Sequence, residues 1–349
     1  MSKTYIITGA MGHLGNTLIR MISGNGDRIF GLIQRDRKQQ ELPNVRYFKG
    51  DVRDIDSMRP IFEAASGGEF YVIHTAGIID ISKDVSPLIK DVNINGTKNI
   101  ISLCREYGAK RLLYVSSVHA IPEKENYGVI TEQDSFSPDD VVGAYACTKA
   151  EATQAVLDAG RAGLDIVVVH PSGIIGPYDR SNNHLVQMIS EYIKGSLPAC
   201  VKGGYDFVDV RDVAKGCLLA LQKGKPGSCY ILSNRHYEIK EILNMVRSEK
   251  AGHRIVVLPM WMAEMFSPLM QGIAKLKKVR PLYTRYSLYA LKSNDRFSHD
   301  KATKELGYSP RDMRETIRDT VKWYRSLHPQ KIRTKKRRGR AALSRELCS

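Results

Sequence analysis

The stretch Thr8-Gly9-Ala10-Met11-Gly12-His13-Leu14-Gly15 constrains this chain more than any other. Ahead of it runs Tyr5-Ile6-Ile7, short, apolar and β-prone, which predicts a buried strand. Behind it Leu14, Leu18, Ile19 and Ile22 recur at helical spacing. Strand, glycine-rich turn and helix in that order open a dinucleotide-binding βαβ unit. Gly9 permits the tight turn, Gly12 lets the backbone approach a pyrophosphate, and Gly15 lets helix and strand pack closely. The free N–H groups and positive dipole end of the helix then face the phosphates. The glycine spacing is G-x-x-G-x-x-G rather than G-x-G-x-x-G, and taken alone it is a weak signal.

The elements that follow alternate as an α/β chain should. Strands are expected at Arg28–Ile33, Val45–Phe48, Tyr71–His74, Leu112–Val115, Ile166–Val169 and Tyr230–Leu232, with a helix over Asp91–Tyr107. Ligands of open parallel sheets sit beyond the carboxyl ends of the strands. Asp51 and the Thr75-Ala76-Gly77 turn occupy such ends and are candidate cofactor contacts. Arg35 stands twenty residues past Gly15, where a guanidinium can clamp a 2′-phosphate, so NADP is favoured over NAD. Asp36 is the counter-argument, since an acid there can take the ribose hydroxyls. His74 reads as a satisfied core histidine. The polar loop from Pro122 to Asp140 is placed to cover a site. The stretch Phe207–Ala214 is expected to open a helix, and the apolar run from Trp261 to Tyr289 reads as lobe core or as the wall of a lipophilic pocket.

The chemistry-bearing pair is Tyr145 and Lys149, four apart and therefore on one helix face. A phenol titrates near 10 in water, and an ammonium beside it favours the phenolate. Such a pair makes a general acid/base for carbonyl–alcohol interconversion, with Ser117 at a strand end to bond the reacting oxygen.

The motifs in order resemble those of the extended short-chain dehydrogenase/reductase superfamily. Thr8–Gly15 is similar to its T-G-A-x-G-x-x-G loop, Gly50-Asp51-Val52 to its adenine segment and His74–Gly77 to H-x-A-G. Asn93–Thr97 is similar to N-[VI]-x-G-T, Ser116-Ser117 to the double serine, and Tyr145–Lys149 to Y-x-x-x-K. Pro171–Pro177 and Phe207–Ala214 resemble two later motifs, so the likeness spans about residues 4–325. It implies that Tyr145 is the acid/base, that Lys149 binds the nicotinamide ribose and lowers the tyrosine pKa, and that Ser117 positions the substrate oxygen. It further implies a cofactor held by Gly9, Gly12, His13, Leu14, Gly15, Thr75, Ala76, Gly77, Asn93, Pro171 and Ser172, with Asp51 and Val52 at the adenine. Val118-His119 stands where sugar-nucleotide dehydratases carry Asp-Glu, and Val169-His170 where many epimerases hold their substrate with Asn. The segments Gln34–Asp36, His170–Pro177, Asn294–Ser298 and Glu305–Tyr308 resemble the dihydroflavonol-reductase and 3β-hydroxysteroid-dehydrogenase-like branch.

These readings give an α/β fold: a Rossmann-type doubly wound parallel sheet over residues 1–175, to which 205–235 return. A smaller C-terminal substrate lobe takes 176–204 and 236–328. The favoured function is a reductase or alcohol dehydrogenase for a small lipophilic or aromatic substrate. A nucleotide-sugar epimerase with tightly held NAD and a non-catalytic NAD(P) sensor are the alternatives; the intact Ser117–Tyr145–Lys149 set argues against the sensor. The six cysteines form no C-x-x-C pair and suggest no metal site, which fits reduced thiols in the cytoplasm. A strand beginning near Tyr5 leaves no room for a signal peptide. Lys and Arg exceed Asp and Glu by 16, and seven of those charges crowd Lys331–Arg340 in a basic tail, 329–349, expected to be disordered. The tail suits weak membrane-surface association better than specific nucleic-acid binding, and a homodimer is the expected assembly, if any.

Overall fold

The computed structural model describes residues 3–34, 41–79, 85–179, 183–197, 199–265, 267, 282 and 285–328. Arg35, Asp36 and the basic tail lie outside the described residues.

The first half of the chain lays down strands β1 (Thr4–Thr8), β2 (Arg28–Ile33), β3 (Val45–Lys49), β4 (Phe70–His74), β5 (Arg111–Val115) and β6 (Ile166–Pro171). They form one parallel sheet in the order β3-β2-β1-β4-β5-β6, and a strand over Ser228–Leu232 adds to the β6 edge as the seventh. Strand order reverses direction between β1 and β4, which opens the crevice where such sheets take a ligand.

Side-chain alternation explains why both faces are covered. Ile6, Val72, Leu112 and Val168 face one way, onto α2 (Ile55–Ala65), the helix over Gly96–Glu106 and the long helix Ala144–Arg161. Ile7, Ile73, Leu113, Val167 and Val169 face the other way, onto α1 (His13–Ile22) and the helix Val210–Lys223. A strand buried on both faces must be apolar throughout, and the run Ile166–Val169 has no residue above 0% exposure. The predicted doubly wound sheet is therefore the observed one. Helix α2 carries no expectation from the sequence; Asp54 starts it by accepting from the Asp56 and Ser57 amides.

One expectation is corrected. Phe207-Val208-Asp209 does not open a helix: Gly204–Asp209 is a buried strand, and the helix begins at Val210. The reason is local. Asp209 is extended and caps the helix through the Arg211 amide (2.7 Å), so the residues before it remain strand. This strand lies in a separate three-stranded sheet, parallel to Gly173–Ile175 and antiparallel to Arg235–Glu238. Residues 204–209 thus belong to this smaller sheet, while 210–232 return to the main one.

A buried ionic knot fastens the return helix to the amphipathic helix Met313–Leu327. Arg211 bridges Asp209 (2.7 Å) and Asp319 (2.8 Å), and Arg311 bridges Asp212 (2.9 Å) and Glu315 (3.0 Å). The loop Pro122–Asp140 does not cover the crevice as expected. Glu132 accepts from the Ile231 amide (2.8 Å), Phe136 stacks on His170, and Ile130 pairs with Phe297. These contacts tie the loop to the sheet edge and to the segment around Phe297.

Candidate active site

At the carboxyl ends of β1, β4, β5 and β6 lies a cavity of about 480 Å³. Gly12, His13, Leu14, Gly15, Thr75, Gly77, Ser117, Tyr145, Lys149, Pro171 and Ser172 all line it. Those residues come from five separate segments of the sequence, and the parallel sheet gathers them at one edge.

The glycine loop has the shape an extended anion requires. Gly9 sits at φ +65°, in the left-handed region, and a Cβ there would meet the Ala76 amide at 2.9 Å. A Cβ on Gly15 would lie 2.3 Å from the Gly9 carbonyl oxygen, so only glycine lets helix and loop approach this closely. Thr8 pins the neighbouring turn: its hydroxyl meets the Ala76 amide (3.1 Å), and its carbonyl accepts from the Thr75 hydroxyl (2.7 Å). His13 ties the loop to the second lobe through the Pro177 carbonyl (2.8 Å). This backbone cradle, opening onto the cavity at a helix N-terminus, fits the pyrophosphate of NAD or NADP.

Other predicted cofactor residues act from behind the surface. Asn93 does not line the cavity; its amide bonds both backbone groups of Ile78 and the Thr148 hydroxyl, fixing the turn after β4 against the Tyr145 helix. It sits in a single π-helical turn, Asp91–Asn95, a form found often at functional sites. Asp51 accepts from Gln34 (2.7 Å) and Arg53, and these bonds hold its carboxyl down at about 2. Val52 is buried against Gly96. His74 is a core histidine as expected, with Thr8 on one nitrogen (2.7 Å) and Thr97 on the other (3.0 Å).

Tyr145 and Lys149 share a face of the helix Ala144–Arg161, but the ammonium is not turned to the phenol. Lys149 Nζ donates to the Val115 carbonyl (2.8 Å) and to the Tyr114 hydroxyl (3.3 Å). Burial pushes Tyr145 up to about 12, with a Ser117 hydrogen bond pulling the other way. Burial likewise brings Lys149 down from 10.5 to about 7. The expected lowering of the tyrosine by the lysine is thus reversed, because both groups are stripped of water and the charge is spent elsewhere.

The lysine shift has a measurable consequence. Between pH about 7 and about 10.5 the unfolded chain holds a proton that the folded one has shed, so stability rises with pH across that window. Lys149→Met should therefore help the cofactor-free protein more at about pH 6.5, below the window, than at about pH 9.5, near its top. Denaturant titration at the two values checks this; a pH-independent difference would show that Lys149 is not desolvated as described.

Sequence reasoning missed much of the substrate side. Tyr205, Phe207, Leu185, Met188 and Ile239 line the cavity together with His119. Tyr205 and Phe207 alternate on the strand misread as helix, and period-two reading of that stretch would have found them. From the apolar run 261–289, Leu282 and Ser287 reach the cavity and Leu288 packs with Ala263 and Val201; 268–281 lie outside the described residues. Among the described residues no group of side chains forms a metal site, and no helix is long and apolar enough to cross a membrane.

The comparisons with known proteins agree with this geometry. The NAD dependent epimerase/dehydratase family matches residues 5–239. Sterol demethylase protein B of Methylococcus capsulatus is 31% identical over 336 residues, covering 92% of this chain and 98% of its own. Mouse 3 beta-hydroxysteroid dehydrogenase type 7 is 28% identical, covering 93% and 96%. The crystal structure of gox2253 superposes with a TM-score of 0.77 at 30% identity, over 93% of this chain and 98% of that one. The glycine cradle, the Tyr145–Lys149 helix and these likenesses converge on one conclusion: the chain belongs to the NAD dependent epimerase/dehydratase family, the extended short-chain dehydrogenases/reductases, as an NAD(P)-dependent oxidoreductase or epimerase.

Proposed function

We propose that this protein is an NADP(H)-preferring reductase or dehydrogenase that interconverts a carbonyl and an alcohol on an uncharged, lipophilic substrate. The carrying observation is the wall around Tyr145. Leu185, Met188, Phe207, Ile239, Leu282 and Leu291 stand in it, and Lys149 is the only Lys or Arg among the described lining residues. A nucleotide-sugar substrate would bring a second diphosphate, whose charge asks for cations or oriented amides of its own. The names of the steroid- and sterol-related relatives support the same reading.

A nicotinamide cofactor held by the glycine cradle would supply or accept the hydride. The chain's own residues manage the oxygen and its proton. Ser117 orients the substrate oxygen toward Tyr145, whose phenol gives up its proton as the carbonyl is reduced. A phenol held near 12 is protonated at neutral pH, which suits it to donate; in the reverse direction it must first lose that proton, so alcohol oxidation gains as pH rises. The apolar wall excludes water and strengthens each of these contacts.

The reading is tested by following NADPH oxidation over aldehydes, ketones, flavonoids and ketosteroids. Net NADPH consumption with one of these classes is the expected result. Retention of NAD through gel filtration, with nucleotide sugars interconverted and no net cofactor turnover, would replace it by the epimerase reading. Cofactor preference has its own test. If Arg35 clamps the 2′-phosphate, Arg35→Ala weakens NADPH binding by about 1.5–3 kcal/mol and leaves NADH binding little changed. Equal losses for both dinucleotides in fluorescence titrations would remove Arg35 as the selector.

A further inference from the structure

His13 belongs to both halves of the cavity. Its backbone opens helix α1, so its amide is one of the free donors that would meet a pyrophosphate on the glycine loop. Its side chain serves the substrate half. Burial holds the imidazole below its usual range, so at neutral pH it is uncharged and carries one N–H and one lone pair. Nε2 meets the Pro177 carbonyl at 2.8 Å, and because a carbonyl only accepts, the proton sits there. Nδ1 is then bare and accepts from the Asn183 side-chain amide at 3.3 Å. The other bonds of Asn183 fix its orientation. Nδ2 also donates to the Ile174 carbonyl (3.0 Å), and Oδ1 caps the helix His184–Lys194 by accepting from the Leu185 amide (2.9 Å).

The same face of α1 makes further ties to this segment. Asn16 and Arg20 follow His13 at helical spacing. Asn16 donates to the Tyr178 carbonyl (3.1 Å), and the Arg20 guanidinium lies 4.9 Å over the Tyr178 ring. Tyr178 holds φ +72°, a left-handed backbone that a residue with a side chain keeps only where its surroundings fix it. Ile174 before this turn, and Leu185 and Met188 on the capped helix after it, stand in the cavity wall. Packing alone does not call for histidine here. A phenylalanine fills a similar volume but has no N–H for the Pro177 carbonyl and no lone pair for Asn183.

We infer that His13 is a positioning residue that couples the two sites: a dinucleotide held by its backbone steadies, through its side chain, the helix that forms part of the substrate wall. Fixing the glycine loop removes motion that the clasp shares with Asn183, so the substrate meets a wall already ordered. Cofactor then raises substrate affinity, and by linkage substrate raises cofactor affinity by the same factor. The inference needs a dinucleotide on the cradle but not the reductase chemistry proposed above, so it is tested without turnover.

The probe is ADP-ribose, with and without a 2′-phosphate; it fills the adenine and pyrophosphate positions and carries no nicotinamide to touch Pro171 or Ser172. In the full chain, hydrogen–deuterium exchange should slow in the glycine loop on adding the probe. It should also slow over residues 185–189 by at least about five-fold, the low end of allosteric coupling. His13→Phe keeps the main-chain donors, so loop protection should persist while the slowing of the helix disappears. His13→Gln, which can still donate to the Pro177 carbonyl, should restore part of it. Slowing confined to the glycine loop in the wild type, or helix slowing that survives His13→Phe, would overturn the inference. If His13→Phe no longer binds the probe in calorimetry, Asn183→Ala decides in its place. That variant opens the clasp from the far side and leaves the glycine loop as it is; helix slowing that it abolishes upholds the coupling, and slowing that it leaves intact overturns it. Failure of every carbonyl to consume NADPH would end the reductase reading and leave these outcomes unchanged.

Discussion

Tyr145→Phe is expected to lower turnover by about 10²–10⁴-fold while leaving dinucleotide binding largely intact, the loss typical of a positioned acid–base group. The substitution keeps the ring, its place on the helix Ala144–Arg161 and its edge contact with His119. It removes only the hydroxyl that Ser117 bonds. Nothing in the glycine cradle touches that hydroxyl, so cofactor titration and steady-state rate should part company. Because burial holds the phenol near 12, the wild-type rate of alcohol oxidation should still be climbing with pH above neutrality, and the variant should lose that climb. Turnover like that of the wild type in Tyr145→Phe would end the proposed mechanism, whatever the substrate.

What the sequence made legible follows from how local each feature is. The seven-stranded sheet could be read strand by strand because burial on both faces leaves continuous apolar runs such as Ile166–Val169. The cofactor cradle was equally plain, since Gly9 takes a left-handed φ of +65° and Gly15 packs on the Gly9 carbonyl within the same turn. The substrate side resisted because its residues are joined only by the fold. Leu185, Tyr205 and Leu282 are far apart in sequence, and no spacing rule links them. The strand Gly204–Asp209 was hidden by the cap at its end: Val210 to Ala214 has helical spacing, and Asp209 marks where it starts. The electrostatics of Tyr145 and Lys149 were misjudged for a related reason. Sharing a helix face places two side chains near each other, but the carbonyl of Val115, on another element, decides where the ammonium points.

The largest structural effect should come from Arg311→Leu, far from the chemistry. Asp209 is fully buried and Asp212 is 3% exposed, both at the start of the helix Val210–Lys223. Arg311 reaches both, at 2.9 Å to Asp212 and 3.6 Å to Asp209, and its own amide donates to Asp212 (2.8 Å). Leucine fills much of the volume but leaves Asp212 without its guanidinium partner. Breaking one side of a buried pair costs about 3–5 kcal/mol, more than the pair itself contributes against an apolar replacement. Two features favour the lower end of that range: Arg311 keeps some solvent, at 24% side-chain exposure, and Arg211 continues to hold Asp209. A loss of about 3 kcal/mol in urea denaturation is therefore expected. Arg311→Leu combined with Asp212→Asn should recover much of it, because the stranded charge is then gone. A single variant that loses less than about 1 kcal/mol would mean that the carboxylate finds water or another donor, and that the knot is not what fastens the C-terminal helix to the sheet.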